Sequence, residues 1–233
     1  MNVKILHLIE GARQVKGLTV IIDVFRAFSV EAYLAAAGAA KIMPVSSKDL
    51  PLEYKKTHPD CILVGERKGI ILPGFDFGNS PTQIEGHDVS GREVMHTTSA
   101  GTQGLANAAG ADEILTGSLV NASAIAEYIR RSGAEEVSLV AMGLGGSEDT
   151  DEDVLCAEYI KSLLDGKPMG EEELNSRIEA MKKTSGAKFF APEKQKDFPS
   201  GDFYRSTAVN KFGFVLKLEK GEPYDYVRRI DVL

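Results

Sequence analysis

The residues best suited to chemistry in this sequence stand directly behind apolar runs. Val20-Ile21-Ile22-Asp23-Val24 carries Asp23 and leads to Arg26. The run ending at Val64 leads to Gly65-Glu66-Arg67, and the run ending at Met95 leads to His96-Thr97-Thr98-Ser99-Ala100-Gly101-Thr102. Two further runs lead to Gly117-Ser118 and to Gly143. If these runs are strands of a parallel sheet, their polar followers share one edge, where such sheets bind ligands. Carboxylates gathered there can hold a hard divalent cation or move a proton, and arginines offer permanently charged forks to oxyanions. The expected site is a single crevice lined with Asp, Glu, Arg, Ser and Thr.

The segment from Thr97 to Thr102 reads as an anion cradle between a strand and a helix over residues 103–109. Helix-start N–H groups, hydroxyls and small residues together suit phosphate, sulfonate or carboxylate. Ordinary N-capping would account for one of its four hydroxyls. Gly74-Phe75-Asp76-Phe77-Gly78-Asn79-Ser80-Pro81 is rich in turn signals; Asp76 there either caps the turn or presents a carboxylate to a cation. Most of the acidic run Glu148 to Asp153 reads as solvated charge favoured by the start of a helix. Its Asp149, Asp151 and Asp153 do not form a calcium loop, because Val154 and Ile160 replace the required Gly and Glu. No dinucleotide fingerprint or phosphate-binding lysine loop is present, so nothing supports NAD or ATP. The four histidines show no ligand spacing, and His96 reads as a packing residue.

The elements that must position these groups are legible as alternation. Strands are expected at residues 20–24, 41–45, 61–64, 93–97, 113–116 and 136–141. Helices are expected at 27–38 and, with Asn121 as N-cap and Gly133 as stop, at 123–131. Residues 151–190 read as two or three amphipathic helices, and 212–218 as a late strand on a sheet edge. This rhythm predicts an α/β fold: a three-layer α/β/α arrangement around a mostly parallel sheet, with two related halves left open. The 233 residues are expected to form one domain. Lys and Arg number 27 against 34 Asp and Glu, a formal net charge of −7 without a basic run, which argues against nucleic acid. No apolar run approaches the ~18 residues of a spanning helix, and Cys61 and Cys156 match no metal spacing. A cytoplasmic protein with reduced thiols, away from membranes, is expected.

Taken in order, Val20-Ile21-Ile22-Asp23-Val24-Phe25-Arg26-Ala27, Gly65-Glu66-Arg67, the segment from Gly74 to Pro81, Thr97-Thr98 with Gly101-Thr102, and Gly117-Ser118 with Asn121-Ala122 closely resemble the 2-phosphosulfolactate phosphatase family. The resemblance covers about residues 18–165, and Glu152-Asp153 matches the family's acidic pair. It implies a Mg²⁺-dependent acid phosphatase of coenzyme M biosynthesis, releasing 3-sulfolactate and phosphate from (R)-2-phospho-3-sulfolactate. Asp23, Arg26 and Asp76 are then expected to be catalytic, with Asp23, Glu66 and Asp153 on the metal. Arg67, Asn79, Ser80, Thr97, Thr98, Ser99, Gly101, Thr102, Ser118 and Asn121 are expected to bind the anionic organophosphate. His96 departs from the family's pattern, and beyond residue 190 the match is poor. The nucleophile is open between water and the Asp23 carboxylate. So is the substrate, between the sulfonate and another 2-phospho acid, and a non-catalytic anion sensor is the rival reading. Acidic α/β enzymes of this size are often dimers, which is the oligomer expected.

Overall fold

The structure, a computed structural model, describes residues 1–233. The chain opens with β1 (Asn2–His7), α1 (Leu8–Ala12), β2 (Gly17–Ile22), α2 (Ala27–Ala36), β3 (Lys41–Pro44) and α3 (Leu50–Thr57). It continues with β4 (Ile62–Arg67), β5 (Ile70–Ile71), α4 (Pro81–Ile84), β6 (Glu93–Thr97), α5 (Gly101–Asn107) and β7 (Ala111–Gly117). Then come α6 (Ala122–Ser132), β8 (Glu136–Ala141), α7 (Asp151–Leu164), α8 (Glu171–Met181) and α9 (Ser200–Ser206). A final pair of strands, β9 (Phe214–Glu219) and β10 (Tyr226–Asp231), completes a sheet of order β1-β8-β2-β7-β9-β10-β3-β6-β4-β5.

The apolar run of β2 is continuous because both of its faces are covered, and alternate residues serve opposite layers. Val20 and Ile22 pack with Leu115, Leu139, Ile125, Leu155 and Ile160, under α6 and α7. Ile21 and Val140 turn the other way, to Ala12, Leu105 and Met142, under α1 and α5. The β3-β6-β4 group is covered by α2 through Val30 and Leu34 against Ile42, Val64 and Val94. On its far face α3 supplies Tyr54, which meets Met43, Leu63 and Met95. The α/β/α layering expected from the sequence is therefore present.

The strands differ from expectation in three places. The late strand is no edge: β9 lies in the middle of the sheet, antiparallel to both β7 and β10. Its partner β10 was not legible, because Tyr226-Val227-Arg228-Arg229-Ile230-Asp231 carries three charges in six residues. Those charges are satisfied locally, Arg228 on Glu219 and Arg229 on Asp231 and over the Phe214 ring. β1 also went unrecognised; it is an exposed edge strand with only half-buried alternate residues, paired in parallel with β8.

The hairpin β9–β10 splits the sheet into parallel blocks, β1-β8-β2-β7 and β3-β6-β4. Counted through the antiparallel pairs, the blocks run in opposite senses, so one flat sheet would put their carboxyl ends on opposite edges. The ends of β2, β4 and β6 nevertheless meet: Gly101 N, behind β6, donates to Asp23 Oδ2, behind β2, at 2.9 Å. Sparse pairing at the hairpin's borders allows the turn between blocks, with two registered pairs between β7 and β9 and one between β10 and β3. Helix α5 ties the result together, since it follows β6 yet packs on β2 and α1 of the other block.

That crossing requires Gly104. A Cβ there would stand 2.5 Å from Met142 Sδ and 2.7 Å from Ile21 Cγ2. Gly104→Val should therefore lift α5 from β2 and cost about 1–3 kcal/mol, the usual penalty of overpacking. A fall in the urea midpoint measures it; an unchanged midpoint would contradict the placement of α5.

Candidate functional site

A cleft of about 460 Å³ opens where the ends of β2, β4, β6 and β8 converge. Asp23, Glu66, Glu152 and Asp153 line it together with Arg26, Lys68 and Lys188. Phe25 and Phe198 give it apolar walls, and Asn79, Ser99 and the Gly143–Glu148 loop complete it.

Of Asp23, Glu66, Glu152 and Asp153, three are held by backbone N–H groups. Asp153, in the first turn of α7, accepts from Val24 N at 2.7 Å and Gly143 N at 2.8 Å, so it staples the end of β2 to the end of β8. Gly143 has φ +64, and a Cβ there would lie 2.0 Å from Glu148 O, so only glycine permits this loop. Glu66 accepts from Ser99 N at 2.7 Å, Ser99 Oγ at 3.1 Å and Gly69 N at 2.5 Å. It thereby joins the end of β4 to the loop behind β6. Asp23 uses Oδ2 on Gly101 N; its Oδ1 carries no hydrogen bond. Glu152 is buried, and its Oε2 has no partner at all.

This much negative charge in one cleft shifts the acids. Burial, with Glu66 next, pushes Asp23 up to about 8. Burial raises Asp153 as well, seconded by Asp23 and Glu152 and opposed by its two amides. Glu152 is raised by burial and eased by neighbouring hydroxyls and Lys188. Lys188, desolvated beside Arg26, is pulled below an ordinary lysine although Glu152 favours its charge. Arg26 is lowered by burial but supported by Asp202. Its guanidinium donates to Asp197 O and Gly69 O, both at 2.8 Å, lies 3.4 Å from Asp202 Oδ2, and stacks over Phe198. Arg26 therefore ties the 187–202 segment across the cleft mouth. Asp202, with no exposed surface, also accepts from Ser80 Oγ at 2.6 Å and Thr82 N at 3.0 Å, fixing α9 to α4.

Among the residues expected in the site, the structure brings Asp23, Arg26, Glu66, Asn79, Ser99 and Asp153 to the cleft. The others stand elsewhere. Asp76 is on the surface beside α3, accepting from Leu63 N at 2.8 Å and Lys55 Nζ at 2.5 Å, so it closes its own turn. Arg67 points away from the cleft, its fork spent on Glu66 O, Ser46 O and Thr97 Oγ1. Ser80 caps α4 and holds Asp202. Ser118 and Asn121 form a buried reciprocal cap at the 3₁₀ turn Leu119–Asn121, with Ser118 also on Ser29. Thr98 and Thr102 bond each other at the start of α5, and Thr97 is fully buried. The cradle at Thr97 to Thr102 does bind anions, but they are this chain's own: Ser99 N meets Glu66 and Gly101 N meets Asp23.

The sequence reading missed Lys68, Lys188, Phe198 and the supporting role of Asp202. Lys68 directly follows the singled-out Gly65-Glu66-Arg67 and could have been found there. Lys188 and Phe198 follow no strand and come from a segment with no motif. The acidic run is corrected in part, since Glu152 and Asp153 are buried rather than solvated. His96 is buried as a packing residue should be, yet both of its ring nitrogens are hydrogen-bonded.

No three His, Cys, Asp or Glu side chains converge closely enough to hold an ion by themselves. Mg²⁺ asks for less, one or two carboxylates with waters completing its shell. The free Asp23 Oδ1 and the unpartnered Glu152 Oε2, in a cleft overloaded with carboxylate, fit that demand.

The family model described as 2-phosphosulpholactate phosphatase matches residues 4–201. A Bacillus subtilis protein named probable 2-phosphosulfolactate phosphatase is 30% identical over 215 residues, 91% of this chain and 92% of its own length. Proteins of the same name from Deinococcus radiodurans and Carboxydothermus hydrogenoformans are 36% and 41% identical, over 64% and 62% of this chain and 63% and 59% of theirs.

The raised Asp23 has a consequence for stability. Unfolded, it ionises near 3.8; folded, near 8, so between those values the native state keeps a proton that the unfolded state has lost. Stability conferred by that proton is lost as pH rises through this window. In chelator, the urea midpoint should fall from pH 5 to pH 8 more steeply for the wild type than for Asp23→Asn. Parallel pH profiles would remove Asp23 from the cluster.

Proposed function

The chain belongs to the 2-phosphosulpholactate phosphatase family, and we propose that its cleft hydrolyses (R)-2-phospho-3-sulfolactate to 3-sulfolactate and phosphate with Mg²⁺ bound among its carboxylates. The strongest support is the setting of Asp23. It ends a strand buried on both faces, is fixed through one oxygen to Gly101 N, and leaves the other free in a cleft that also holds Arg26 and Lys188. The substrate carries phosphate, carboxylate and sulfonate groups, and a chain of net charge −7 must focus positive charge to admit it. Arg26, Lys68 and Lys188 supply that focus.

Within the cleft each residue has a part. Glu152 is the residue whose unpartnered oxygen would hold Mg²⁺, which when bound would offset carboxylate repulsion and draw charge from phosphoryl oxygens, leaving Asp23 Oδ1 free for a proton. Asp23 takes the proton of the attacking water as the phosphorus bond to the 2-oxygen breaks, and the departing alkoxide is protonated by Asp23 or by solvent to give 3-sulfolactate. Arg26 and Lys188 oppose the charge that builds on the phosphoryl and leaving oxygens, where preorganised cations lower the barrier most. Phe25 and Phe198 exclude bulk water, which strengthens each of those interactions. Glu66 and Asp153 act at one remove, by fixing the loops that carry Ser99, Val24 and Gly143. No helix is long and apolar enough to cross a membrane, and both cysteines are free and buried, which suits a reducing cytoplasmic setting.

Phosphate release from 2-phosphosulfolactate and from 2-phospholactate, each with Mg²⁺ and with chelator, tests the reading. Chelator-sensitive release favouring the sulfonate is the expected result. Stoichiometric binding of 2-phosphosulfolactate without any release would instead make the protein a sensor. Asp23→Asn should reduce turnover about 10²–10⁴-fold, the usual worth of a general base, while its circular dichroism stays that of the wild type. Lys188→Met should lower kcat alike for both substrates, because the phosphoryl and leaving oxygens are common to them; a rise in KM confined to the sulfonate substrate would take Lys188 away from the phosphoryl group.

A further inference from the structure

Behind the cleft wall runs a hydrogen-bonded chain that the reaction described above does not use. Asn79 lines the cleft, and its Oδ1 lies 3.1 Å from His96 Nε2. His96 Nδ1 lies 2.9 Å from Glu31 Oε1, and neither His96 nor Glu31 has any exposed surface. Glu31 Oε2 has no hydrogen-bond partner, so His96 is the sole group bonded to that carboxylate. The residues paired with His96 in the flanking strands, Pro44 and Val64, carry no charge. Asn79 Nδ2 makes no hydrogen bond within the protein.

Charge balance decides how the protons lie. A net negative charge on the Glu31–His96 pair, fully buried and otherwise unsupported, is strongly disfavoured. Neutrality requires two protons on the pair. One lies between Glu31 Oε1 and His96 Nδ1, on whichever side it rests; the other goes to His96 Nε2, where Asn79 Oδ1 accepts it, rather than to Glu31 Oε2, which has no partner in reach. With Nε2–H donating, Asn79 can meet it only through Oδ1, which turns its amide N–H₂ toward the cleft. The opposite flip would offer the cleft an oxygen, which repels anions.

We propose that Glu31 and His96 are positioning residues that lock the Asn79 side chain so that its N–H₂ group serves as a fixed donor to an oxyanion of the substrate. This rests on the reading of the cleft as an organophosphate site. It adds a neutral donor to the cations already there, set in place before the ligand arrives and so at little entropic cost.

The first test needs no substrate. Nitrogen-15 spectra of the histidine ring in the wild-type protein should show His96 Nε2 carrying a proton. A bare Nε2 overturns the proposal, whatever the enzyme turns over. The second test uses two variants that differ in reach. The amide nitrogen of His96→Gln can stand near the Nε2 position and still donate to Asn79, whereas that of His96→Asn stops at the Nδ1 position. For 2-phosphosulfolactate, His96→Asn should raise KM about ten-fold or more with kcat within about three-fold, and His96→Gln should keep KM within about three-fold. Equal losses in both variants, or a loss confined to kcat, would make His96 a packing residue only. Wild-type protein that releases no phosphate would sink the functional reading, while the nitrogen spectra still decide the chain.

Discussion

Carboxylates that accept hydrogen bonds from backbone amides at strand ends hold this molecule's functional edge together. Asp153 joins the turn behind β2 to the loop behind β8, Glu66 joins β4 to the loop behind β6, and Asp23 joins β2 to the start of α5. Each bond is largely shielded from water, which makes it dear to break, because the backbone amide would be left buried without a partner. The same placement gathers like charges, so the fastening and the electrostatic stress have one origin. Cations relieve the stress from the far side. Arg26 and Lys188 face the acids across the cleft, and Asp202 secures Arg26 from behind.

The cleft thus belongs to two parallel blocks and a C-terminal strap rather than to one sheet edge. The hairpin β9–β10 separates the blocks, and the crossing of α5 returns them to each other. A strap through residues 187–198 then supplies Lys188 and Phe198 and is fastened to Arg26 through Asp197 O. Specificity for a multiply charged small molecule can reside in the strap while the acids remain fixed by the blocks.

The sequence showed the alternation of strands and helices because periodicity is a local property. It also singled out Asp23, Arg26 and Glu66, since charged residues next to buried runs are conspicuous, whereas Asp153 was marked only by the resemblance to the family. Which of them face the cleft was less legible. Arg67 and Glu66 are neighbours in one motif, yet strand alternation sends them to different surroundings. Thr97 to Thr102 has the composition of an anion site, but composition does not say that the anions are Glu66 and Asp23. Ser118 and Asn121 looked like ligand groups because capping and ligand binding use the same atoms. Lys188 had no signal, because its place depends on how α7 and α8 return the chain to the cleft. The central position of β9 was hidden for the same reason: edge or centre is settled by partners far away in sequence.

That central position shapes how the chain reaches its fold. Strands β7 and β3 each have one side occupied only by β9 or β10, whose residues lie at 214–231. During synthesis both blocks can assemble from residues 2–141 long before the hairpin leaves the ribosome. Until then two long strand edges stand open in one nascent chain, the kind of surface on which β-rich intermediates pair wrongly. Insertion of the hairpin closes both edges in one late, long-range step. These later strands are therefore the keystone of the sheet, and a polypeptide stopped before residue 214 would be left with a divided β-sheet and two unprotected seams.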